Sequence, residues 1–527
     1  MDAILAAMPR LTRRFFALLF IAAAAVPPGA AAKTHRAAPR EPDTAAIILR
    51  SIEAVTPVTQ GSLRSAWVQY GPGGGVEARA VVNGKVCPTV FVDMHERSMQ
   101  QRAASDDQFA TLCALLLPKG AEQAAIVFRV YHVPPPRTGA GVAAWKAWVR
   151  EEYGLSVPGP DASEADWMAW SDKVGEKANY HIVPLALPVP DPHRILVFGD
   201  TGCRIKDKAL QDCGNPADWP FPRIAARAAK LKPDLVIHVG DYLYRESPCP
   251  PGFAGCTGTP FGDNWTTWDA DFFTPAKPLL AAAPWVFVRG NHEDCDRAGP
   301  GWLRLLGPLP FDAAAPCAAH LVPYSVPLGT VNLVVMDDAD APDTSIAPDM
   351  VAIYRSEIAS LATAEAPSWL LLHRPIWGAV TGPLRLPVGG NRTMIAAIGN
   401  GGIPSPVELM LAGHIHTFEA MNFAEKDHVP PQLIAGFGGD KLDPTPSILK
   451  GTIFQGKSGV VVKDGLSLAG FGFVLMTKEA DVWTIDVHDA QGKIELTCLL
   501  RGGRLNCPKG PRTTGEGDLT RTPAGTH

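Results

Sequence analysis

The sequence predicts an α/β domain preceded by a small all-β domain, and three observations support this prediction. Between residues 49 and 130, short apolar runs alternate with Gly, Pro and polar residues, which is typical of strands and turns. From residue 194, apolar runs alternate with stretches of helically spaced apolar residues, which is typical of α/β domains. The chain has 527 residues, 46% hydrophobic and 19% charged, so it can bury a large core.

The composition also limits the class of function. The chain carries 48 Lys and Arg against 53 Asp and Glu, a formal net charge of −5. A disordered protein would need fewer apolar residues or a larger net charge. A nucleic-acid-binding protein needs a basic surface that displaces counterions. The composition therefore excludes a disordered chain, and we expect no nucleic-acid partner.

The first 32 residues have the pattern of a signal peptide. Three arginines precede an apolar run from 15 to 26, and three alanines at 30–32 follow it as a candidate cleavage site. A short membrane anchor is the alternative, but the run is shorter than the ~20 residues that span a bilayer. Arg13 and Arg14 also fit part of a twin-arginine export signal. We therefore expect a periplasmic or secreted protein without stable membrane insertion, whose mature part begins with a flexible linker, residues 33–48.

The ten cysteines predict disulfide bonds, because an even number is typical of exported proteins. A zinc cluster is the alternative, but no two cysteines have the tight two-residue spacing of zinc sites. The cysteines fall into five pairs of near neighbours, which proximity suggests as partners: Cys87/Cys113, Cys203/Cys213, Cys249/Cys256, Cys295/Cys317 and Cys498/Cys507.

The β-rich N-terminal domain is predicted over residues 49–130. Its strands are predicted at 65–70, 76–82, 89–92, 110–117 and 124–130. A connecting segment, 131–190, carries two pairs of tryptophans with the spacing of one helix face: Trp145, Trp148, Trp167 and Trp170. Core packing is favoured over a carbohydrate-stacking surface for these side chains.

The α/β domain is predicted over residues 191–508. Its strands are predicted at 194–198, 234–239, 285–288, 369–372 and 407–411, with later strands at 470–476 and 482–487. Helices are predicted at 221–231 and 349–364. The polar residues 509–527 are predicted to form a disordered tail.

Residues of metal-binding types follow five of these strands. Because the carboxyl ends of strands in an open α/β sheet form a common crevice, residues far apart in sequence can meet there. The mixture of oxygen and imidazole donors suits iron, zinc or manganese. Seven candidate ligands exceed the need of one four-coordinate ion and indicate two metals: Asp200, Asp241, Tyr244, Asn291, His373, His414 and His416.

The order of these motifs resembles that of the calcineurin-like metallophosphoesterases, over about residues 194–420. This resemblance implies an α-β-β-α sandwich. Most members carry Asp-x-His in the first motif, whereas this chain has Asp200-Thr201-Gly202. Tyr244 follows Asp241 by three residues, which resembles the purple acid phosphatases, where a tyrosine takes the place of that histidine.

The resemblance implies a set of roles. One metal would be held by Asp200, Tyr244 and His416, a second by Asn291, His373 and His414, and Asp241 would bridge both. A phenolate ligand favours Fe(III), so the cofactors would be Fe(III) plus a divalent Fe, Zn or Mn. His292 would donate a proton to the leaving oxygen or stabilise charge on the phosphoryl group. The implied function is an exported acid phosphatase that hydrolyses monoesters of small phosphorylated substrates by attack of metal-bound hydroxide.

Several alternatives remain open at the level of sequence. A phosphodiesterase or nucleotidase would use the same ligands, and a surface binding protein with an inactive metal domain is an alternative of another class. His238 is favoured as a hydrogen-bonded core residue over a ligand. Asp337 and Asp338 are favoured as turn-capping carboxylates. Arg374 is as compatible with a phosphate contact as with an ordinary salt bridge.

Overall fold

The structure is a computed structural model that describes residues 63–130 and 179–507, apart from gaps at 207–208, 330, 366, 383–386, 447 and 455–458, and a few positions between 150 and 173. The predicted signal peptide (1–32), linker (33–48) and tail (509–527) lie outside the described residues. Most of the predicted connecting segment also lies outside them, including three of its four tryptophans, Trp145, Trp148 and Trp167.

The described strands form two large sheets and smaller ones. In chain order they are β1 (Leu63–Tyr70), β2 (Val76–Val82), β3 (Thr89–Val92), β4 (His95–Ser98), β5 (Gln100–Ala103), β6 (Thr111–Leu116), β7 (Ala124–Val130), β8 (Asn179–Pro184), β9 (Arg194–Phe198), β10 (Ile205–Lys206), β11 (Ala209–Leu210), β12 (Leu235–His238), β13 (Trp285–Phe287), β14 (Tyr324–Leu328), β15 (Val331–Val335), β16 (Ser368–Leu371), β17 (Ala379–Thr381), β18 (Pro387–Gly389), β19 (Val407–Ala412), β20 (Phe418–Phe423), β21 (Gln432–Ala435), β22 (Val462–Leu468), β23 (Gly472–Glu479), β24 (Val482–Asp489), β25 (Ile494–Arg501) and β26 (Arg504–Asn506).

The described α-helices are mostly short. They are α1 (Phe221–Lys230), α2 (Trp265–Trp268), α3 (Thr274–Leu280), α4 (Gly299–Leu305), α5 (Pro348–Ser360) and α6 (Arg392–Ile398). A π-helical turn, Asp269–Phe273, joins α2 to α3. Within the part of the chain that the structure describes, no helix is long and apolar enough to cross a membrane.

The two large sheets pack face to face. The first has eleven strands in the order β26-β25-β24-β23-β9-β12-β13-β1-β2-β6-β5, and the second has seven in the order β14-β15-β16-β19-β21-β20-β22. Alternate residues of β9 point to opposite faces, as strand geometry requires. Ile195 and Val197 join a buried cluster that includes Leu333 and Leu411 of the second sheet. This cluster is the core between the sheets.

Helices cover the outer faces of both sheets. On the first sheet, Phe198 packs in a cluster with Ile224 of α1 and Leu279 of α3. On the second sheet, Leu370 packs in a cluster with Ile358 of α5 and Ile395 of α6. The layers are therefore helix, sheet, sheet and helix, which confirms the predicted α-β-β-α sandwich.

The predicted β-rich region is present, and one of its sheets continues the first large sheet. β1 pairs in parallel with β13, with Gln69 opposite Trp285, and β2, β6 and β5 extend the sheet beyond β1. The other N-terminal strands form a separate sheet in the order β4-β3-β7-β8. The boundaries at 49–130 and 191–508 stay a prediction, because sheet continuity does not define where an independently folding unit ends.

All ten cysteines form disulfide bonds, and the five pairs are those that proximity predicted. Cys203–Cys213 closes the loop that follows β9, and Cys295–Cys317 closes the segment that follows β13. Both bonds therefore restrain chain that lies directly after the strand ends. Five disulfides are typical of proteins from oxidising compartments.

Candidate metal centre

The seven predicted ligands lie just beyond the carboxyl ends of five central strands. β9, β12 and β13 run parallel in the first sheet, and β16 and β19 run parallel in the second. Parallel strands end at the same edge, so the loops after them meet. Asp200 follows β9, Asp241 and Tyr244 follow β12, Asn291 follows β13, His373 follows β16, and His414 and His416 follow β19.

These loops bring the carboxylates and imidazoles into two groups that share one residue. Asp200, Asp241 and His416 have ligand atoms within 4.8 Å of one another, and so do Asp241, His373 and His414. Asp241 is a member of both groups. One carboxylate between two sets of donors is the arrangement that can hold two metal ions about 3.5–4 Å apart.

Tyr244 joins the first group through its hydroxyl. The oxygen lies 2.9 Å from Asp241 Oδ2, 3.1 Å from Asp200 Oδ1 and 3.0 Å from His416 Nε2. The tyrosine is only 1% exposed. Burial and the two carboxylates raise the pKa of Tyr244 well above its usual value, so its phenolate form requires a cation to offset the charge.

Asn291 joins the second group through its side-chain oxygen. Asn291 Oδ1 lies 3.0 Å from His373 Nε2, and the same nitrogen lies 3.2 Å from Asp241 Oδ2. The His414 ring lies edge-on to the His373 ring, with 5.2 Å between centroids. Each group thus contains the residues that the resemblance implied for one metal.

The backbone at three of these residues has an uncommon conformation. Asp200, Asp241 and His414 have φ angles of 57°, 59° and 67°, in the left-handed region that side-chain-bearing residues seldom adopt. Such conformations cost about 1–3 kcal/mol each and concentrate at functional sites. The packing of the loops must therefore hold these three side chains in place.

Two glycines permit the close approach of the loops. A Cβ on Gly240 would lie 2.3 Å from His373 Nδ1, and a Cβ on Gly290 would lie 2.2 Å from Asp241 Oδ1. Any side chain at either position would displace a ligand. The Gly-Asp and Gly-Asn motifs therefore require glycine, because only glycine leaves room for the neighbouring candidate ligands.

A buried carboxylate, Glu293, fixes the loop that carries Asp241. Glu293 Oε1 accepts hydrogen bonds from the backbone N–H of Tyr242 at 2.9 Å and of Leu243 at 3.1 Å, and Oε2 accepts from that of Asp241 at 3.2 Å. Because Glu293 directly follows Asn291 and His292 in the chain, it ties the β12 loop to the β13 loop.

Asp271 performs the same task for the other loops. Its carboxylate accepts from the backbone N–H of Cys203 at 3.0 Å and of Tyr244 at 2.8 Å, and it pairs with Arg245 Nε at 2.6 Å. Asp271 is fully buried. It therefore joins the β9 loop to the β12 loop beneath the site.

The pKa shifts report a strongly negative field at the two groups. Burial alone would lower the pKa of His373, but the charge of Asp241 raises it to about 9. Burial is likewise outweighed at His416, where Asp440 and Asp200 raise the pKa to about 10. Burial would raise the pKa of Asp241, yet the neighbouring histidines hold it well below its usual value. A field that holds protons on two imidazoles also attracts metal cations, so this donor set fits a pair of them.

His292 lies beside both groups without belonging to either. Its Nε2 is 3.8 Å from Asp241 Oδ2, and its ring packs on the Tyr244 ring at 3.9 Å between centroids. Its backbone N–H donates to Asp241 Oδ1 at 2.8 Å. Its Nδ1 lies 2.6 Å from Glu246 Oε1 and 2.5 Å from Arg297 Nη2, so these two side chains fix the orientation of the ring. Burial lowers the pKa of His292 to about 4.

The structure also resolves two of the alternatives left open by the sequence. His238 is a core residue: its Nε2 lies 3.0 Å from Thr201 Oγ1, and its ring stacks on Tyr242 at 4.0 Å. Arg374 forms a salt bridge with Asp343. His238 thus has the hydrogen-bonded core position that the sequence favoured, and Arg374 has the salt bridge that was one of its two predicted roles.

The strand-end carboxylates Asp337 and Asp338 cap the segments around them. Asp338 Oδ1 accepts from the backbone N–H of His373 at 2.9 Å and of Arg374 at 3.2 Å. Asp337 accepts from the backbone N–H of Leu321 at 3.0 Å. Asp338 thereby positions the backbone of a candidate ligand without reaching the ligand atoms.

Sequence reasoning assigned no role to several acidic residues that support the site, among them Glu246, Asp271, Asp343 and Asp440. Asp343 Oδ2 lies 2.9 Å from His414 Nε2, and Asp440 Oδ2 lies 3.2 Å from His416 Nδ1. Asp440 follows a glycine-rich turn after β21, which is the same signal that marked the ligands. No comparable signal marks Asp343, which lies in a loop of ordinary composition.

Comparison with known proteins identifies the domain that carries the site. Residues 193–418 match the sequence model of the calcineurin-like phosphoesterase family. Among solved structures, a purple acid phosphatase from yellow lupin (Lupinus luteus) seeds aligns with a TM-score of 0.49 and 12% identity, over 84% of this chain and 75% of that chain. PhoD aligns with a TM-score of 0.45 and 12% identity, over 87% of this chain and 95% of that chain. No curated protein sequence matches this chain.

Proposed function

We propose that the protein is an exported binuclear phosphatase that hydrolyses phosphate monoesters, and the match of residues 193–418 to the calcineurin-like phosphoesterase model supports this proposal. The observation that carries the proposal is the position of Asp241 in both groups of metal-type ligands. A site for a single ion needs no shared carboxylate. An inactive scaffold has no physical need for two such groups around strained backbone.

The two groups differ in their chemistry, which supports different metals. Asp200, Tyr244 and His416, with Asp241, offer up to three anionic ligands and would hold Fe(III). Asn291, His373 and His414, with Asp241, offer mostly neutral donors and would hold a divalent Fe, Zn or Mn. When bound, the metal pair would hold the phosphate group and activate a water molecule as the nucleophile, and a trivalent ion would do so below neutral pH.

The protein's own groups would then act on the leaving oxygen. His292 presents Nε2 towards the shared carboxylate and Nδ1 towards Glu246. In the charged form of His292, a hydrogen bond from Nδ1–H to Glu246 would hold the ring in one orientation. Burial lowers the pKa of the ring to about 4, so this form requires the negative charge of a bound phosphate beside it. Nε2–H is then directed to the site, where it would donate to the phosphoryl or leaving oxygen.

Export is part of the proposal and is supported by the ten cysteines, all of which form disulfides. Such a density of disulfides is rare in the reducing cytosol. The N-terminal signal pattern agrees with this compartment. Fractionation of the native host would test export, and N-terminal sequencing of the recovered protein would test cleavage.

The function is tested by comparing a monoester with a diester on protein loaded with metals. We expect faster hydrolysis of p-nitrophenyl phosphate than of bis(p-nitrophenyl) phosphate, and loss of both activities after chelation. A strong preference for the diester would replace the proposal with a phosphodiesterase. Full metal content without hydrolysis of either would favour the binding-protein alternative.

A further inference from the structure

A cavity of about 580 Å³ lies directly beside the candidate metal centre. This volume falls within the ~300–1,000 Å³ of small-molecule sites in proteins. His414, a member of the second ligand group, lines the cavity together with Ile415 and Asp443. Asp443 Oδ2 also accepts from the backbone N–H of His416 at 2.9 Å. The wall of the cavity is therefore also the wall of the metal centre.

The described lining includes an apolar patch of five residues beside seven polar or charged ones. Pro375, Val380, Ile415, Ile453 and Phe454 contribute to it. Ile453 is 63% exposed, an unusual position for a large aliphatic side chain. Phe454 is buried, so its ring forms a fixed surface at the base of this patch. Apolar surface held open beside a polar centre is the arrangement that binds an apolar group next to a charged one.

Two of the polar groups in the lining already have partners in the protein. Asn391 Nδ2 donates to Ala341 O at 2.8 Å and to Asp343 Oδ1 at 2.9 Å, and its Oδ1 accepts from the backbone N–H of Met394 at 2.8 Å. Asp343 also pairs with Arg374 and His414. A hydroxyl group that enters beside Asn391 would give up water without gaining a hydrogen bond from this engaged amide, which costs free energy.

We propose that this cavity binds the organic group of the substrate and selects phosphate esters of apolar alcohols, such as alkyl and aryl phosphates, over esters of small polar alcohols. The inference rests on the proposed function, because that function places the phosphate group at the neighbouring metals. The cavity would then bind the organic group that is esterified to this phosphate. Its chain length and polarity decide how much apolar surface leaves water.

A series of n-alkylphosphonates tests the cavity without any reaction. Methyl-, propyl- and butylphosphonate share one charged head and differ only in apolar length. Binding to the metal-loaded full chain is measured by calorimetry. We expect affinity to rise about fourfold for each methylene that is buried, or about 60-fold from methyl to butyl. A propylphosphonate that carries hydroxyl groups on its chain should bind more weakly than propylphosphonate itself.

Two variants locate the effect. Ile453→Asn and Val380→Asn should each lower the butyl-to-methyl affinity ratio about fourfold or more, the equivalent of one buried methylene. Methylphosphonate affinity should not change, since neither residue touches the metal ligands. Ile494→Asn is the matched control: Ile494 is 46% exposed and lies on β25, and it does not line this cavity. It should leave the ratio unchanged.

Hydrolysis of the matching alkyl phosphates separates this inference from the proposed function. Alkyl alcohols have nearly equal acidity, so a rise of kcat/KM with chain length reports binding rather than a better leaving group. If all the esters are hydrolysed but phosphonate affinity does not depend on chain length, the cavity inference is overturned and the proposed phosphatase function stands. If phosphonate affinity depends on chain length, the variants abolish that dependence and no ester is hydrolysed, the cavity inference is supported and the proposed phosphatase function is contradicted. A dependence that survives both variants would also overturn the inference.

Discussion

Replacing Tyr244 with Phe removes a single oxygen atom from the centre of the first ligand group. That oxygen is the only group of Tyr244 within hydrogen-bond distance of Asp200, Asp241 and His416. We expect the variant to keep its fold and to bind less of the first metal. The second metal should remain, because Tyr244 makes no hydrogen bond to His373 or His414.

The cost to the metal-free protein can be worked from the same contacts. The hydroxyl has one proton, which Asp241 at 2.9 Å and Asp200 at 3.1 Å share. A hydrogen bond to a charged group contributes about 1.5–3 kcal/mol to stability. Both carboxylates keep other donors, His292 N for Asp241 and His414 N for Asp200, so no charge is left without a partner. We therefore expect a loss of about 1.5–3 kcal/mol in urea unfolding after chelation.

The visible spectrum is the assay for the metal-bound protein. A phenolate on Fe(III) transfers electron density to the metal on excitation, so the oxidised wild type should be pink to purple. Dithionite should bleach the colour, and Tyr244→Phe should lack it. Tyr242→Phe is the matched control, because Tyr242 is equally buried but its hydroxyl donates to Val288 O at 2.7 Å. That variant should lose some stability and keep the colour.

Two results would refute this reasoning. A wild type with both metals that is colourless when oxidised would mean that no phenolate is bound to Fe(III). A colour that survives Tyr244→Phe would mean that another group causes it. In either case the centre would be that of a zinc or manganese phosphoesterase, for which Tyr244 is a packed aromatic residue.

Three further variants test the groups around the metals. His292→Ala should keep full metal content by elemental analysis and lower kcat by about 10²–10⁴-fold, because a positioned proton donor is lost; loss of metal would make it a ligand. Asp271→Ala should destabilise the protein by about 3–5 kcal/mol in urea unfolding, because it leaves the charge of Arg245 buried without its partner; a change below 1 kcal/mol would contradict the role of Asp271. Burial lowers the pKa of His320, but Glu357 at 2.7 Å outweighs it and raises the pKa. The stability from this pair is therefore present below about pH 6.5 and is lost as pH rises through the raised pKa. The stability difference between wild type and Glu357→Gln should shrink from pH 5.5 to pH 9, and a constant difference would show that the pair does not titrate.

The candidate ligands could be selected from the sequence because each of them lies within a few residues of a strand end. Strand β9, for example, is short and apolar after its first residue, and Asp200 lies two residues beyond its end. The local pattern thus locates the ligand, and sheet geometry brings the ligands together. Short apolar runs in the sequence likewise predicted the central strands of the sandwich, whose side chains point alternately to its two faces.

The supporting residues could not be predicted, because their roles depend on tertiary neighbours. Asp271 lies in a π-helical turn between α2 and α3, where Pro275 and Pro278 obscure the helical pattern. Nothing near Asp271 in the sequence indicates that it accepts hydrogen bonds from Cys203 and Tyr244. The parallel pairing of β1 with β13 could not be predicted either, because the sequence of a strand does not indicate which strand it pairs with.

Metal content decides whether Asp241 bridges two metal ions. Wild type purified from its native compartment should contain two metals per chain by elemental analysis. Asp241→Asn should lose both, because it removes the one charge that both groups share. Asp263→Asn is the matched control. It removes a partly buried carboxylate that accepts a hydrogen bond from Trp268 Nε1 at 2.8 Å and belongs to neither ligand group, and it should keep both metals. An Asp241→Asn protein that retains two metals and its activity would contradict the account.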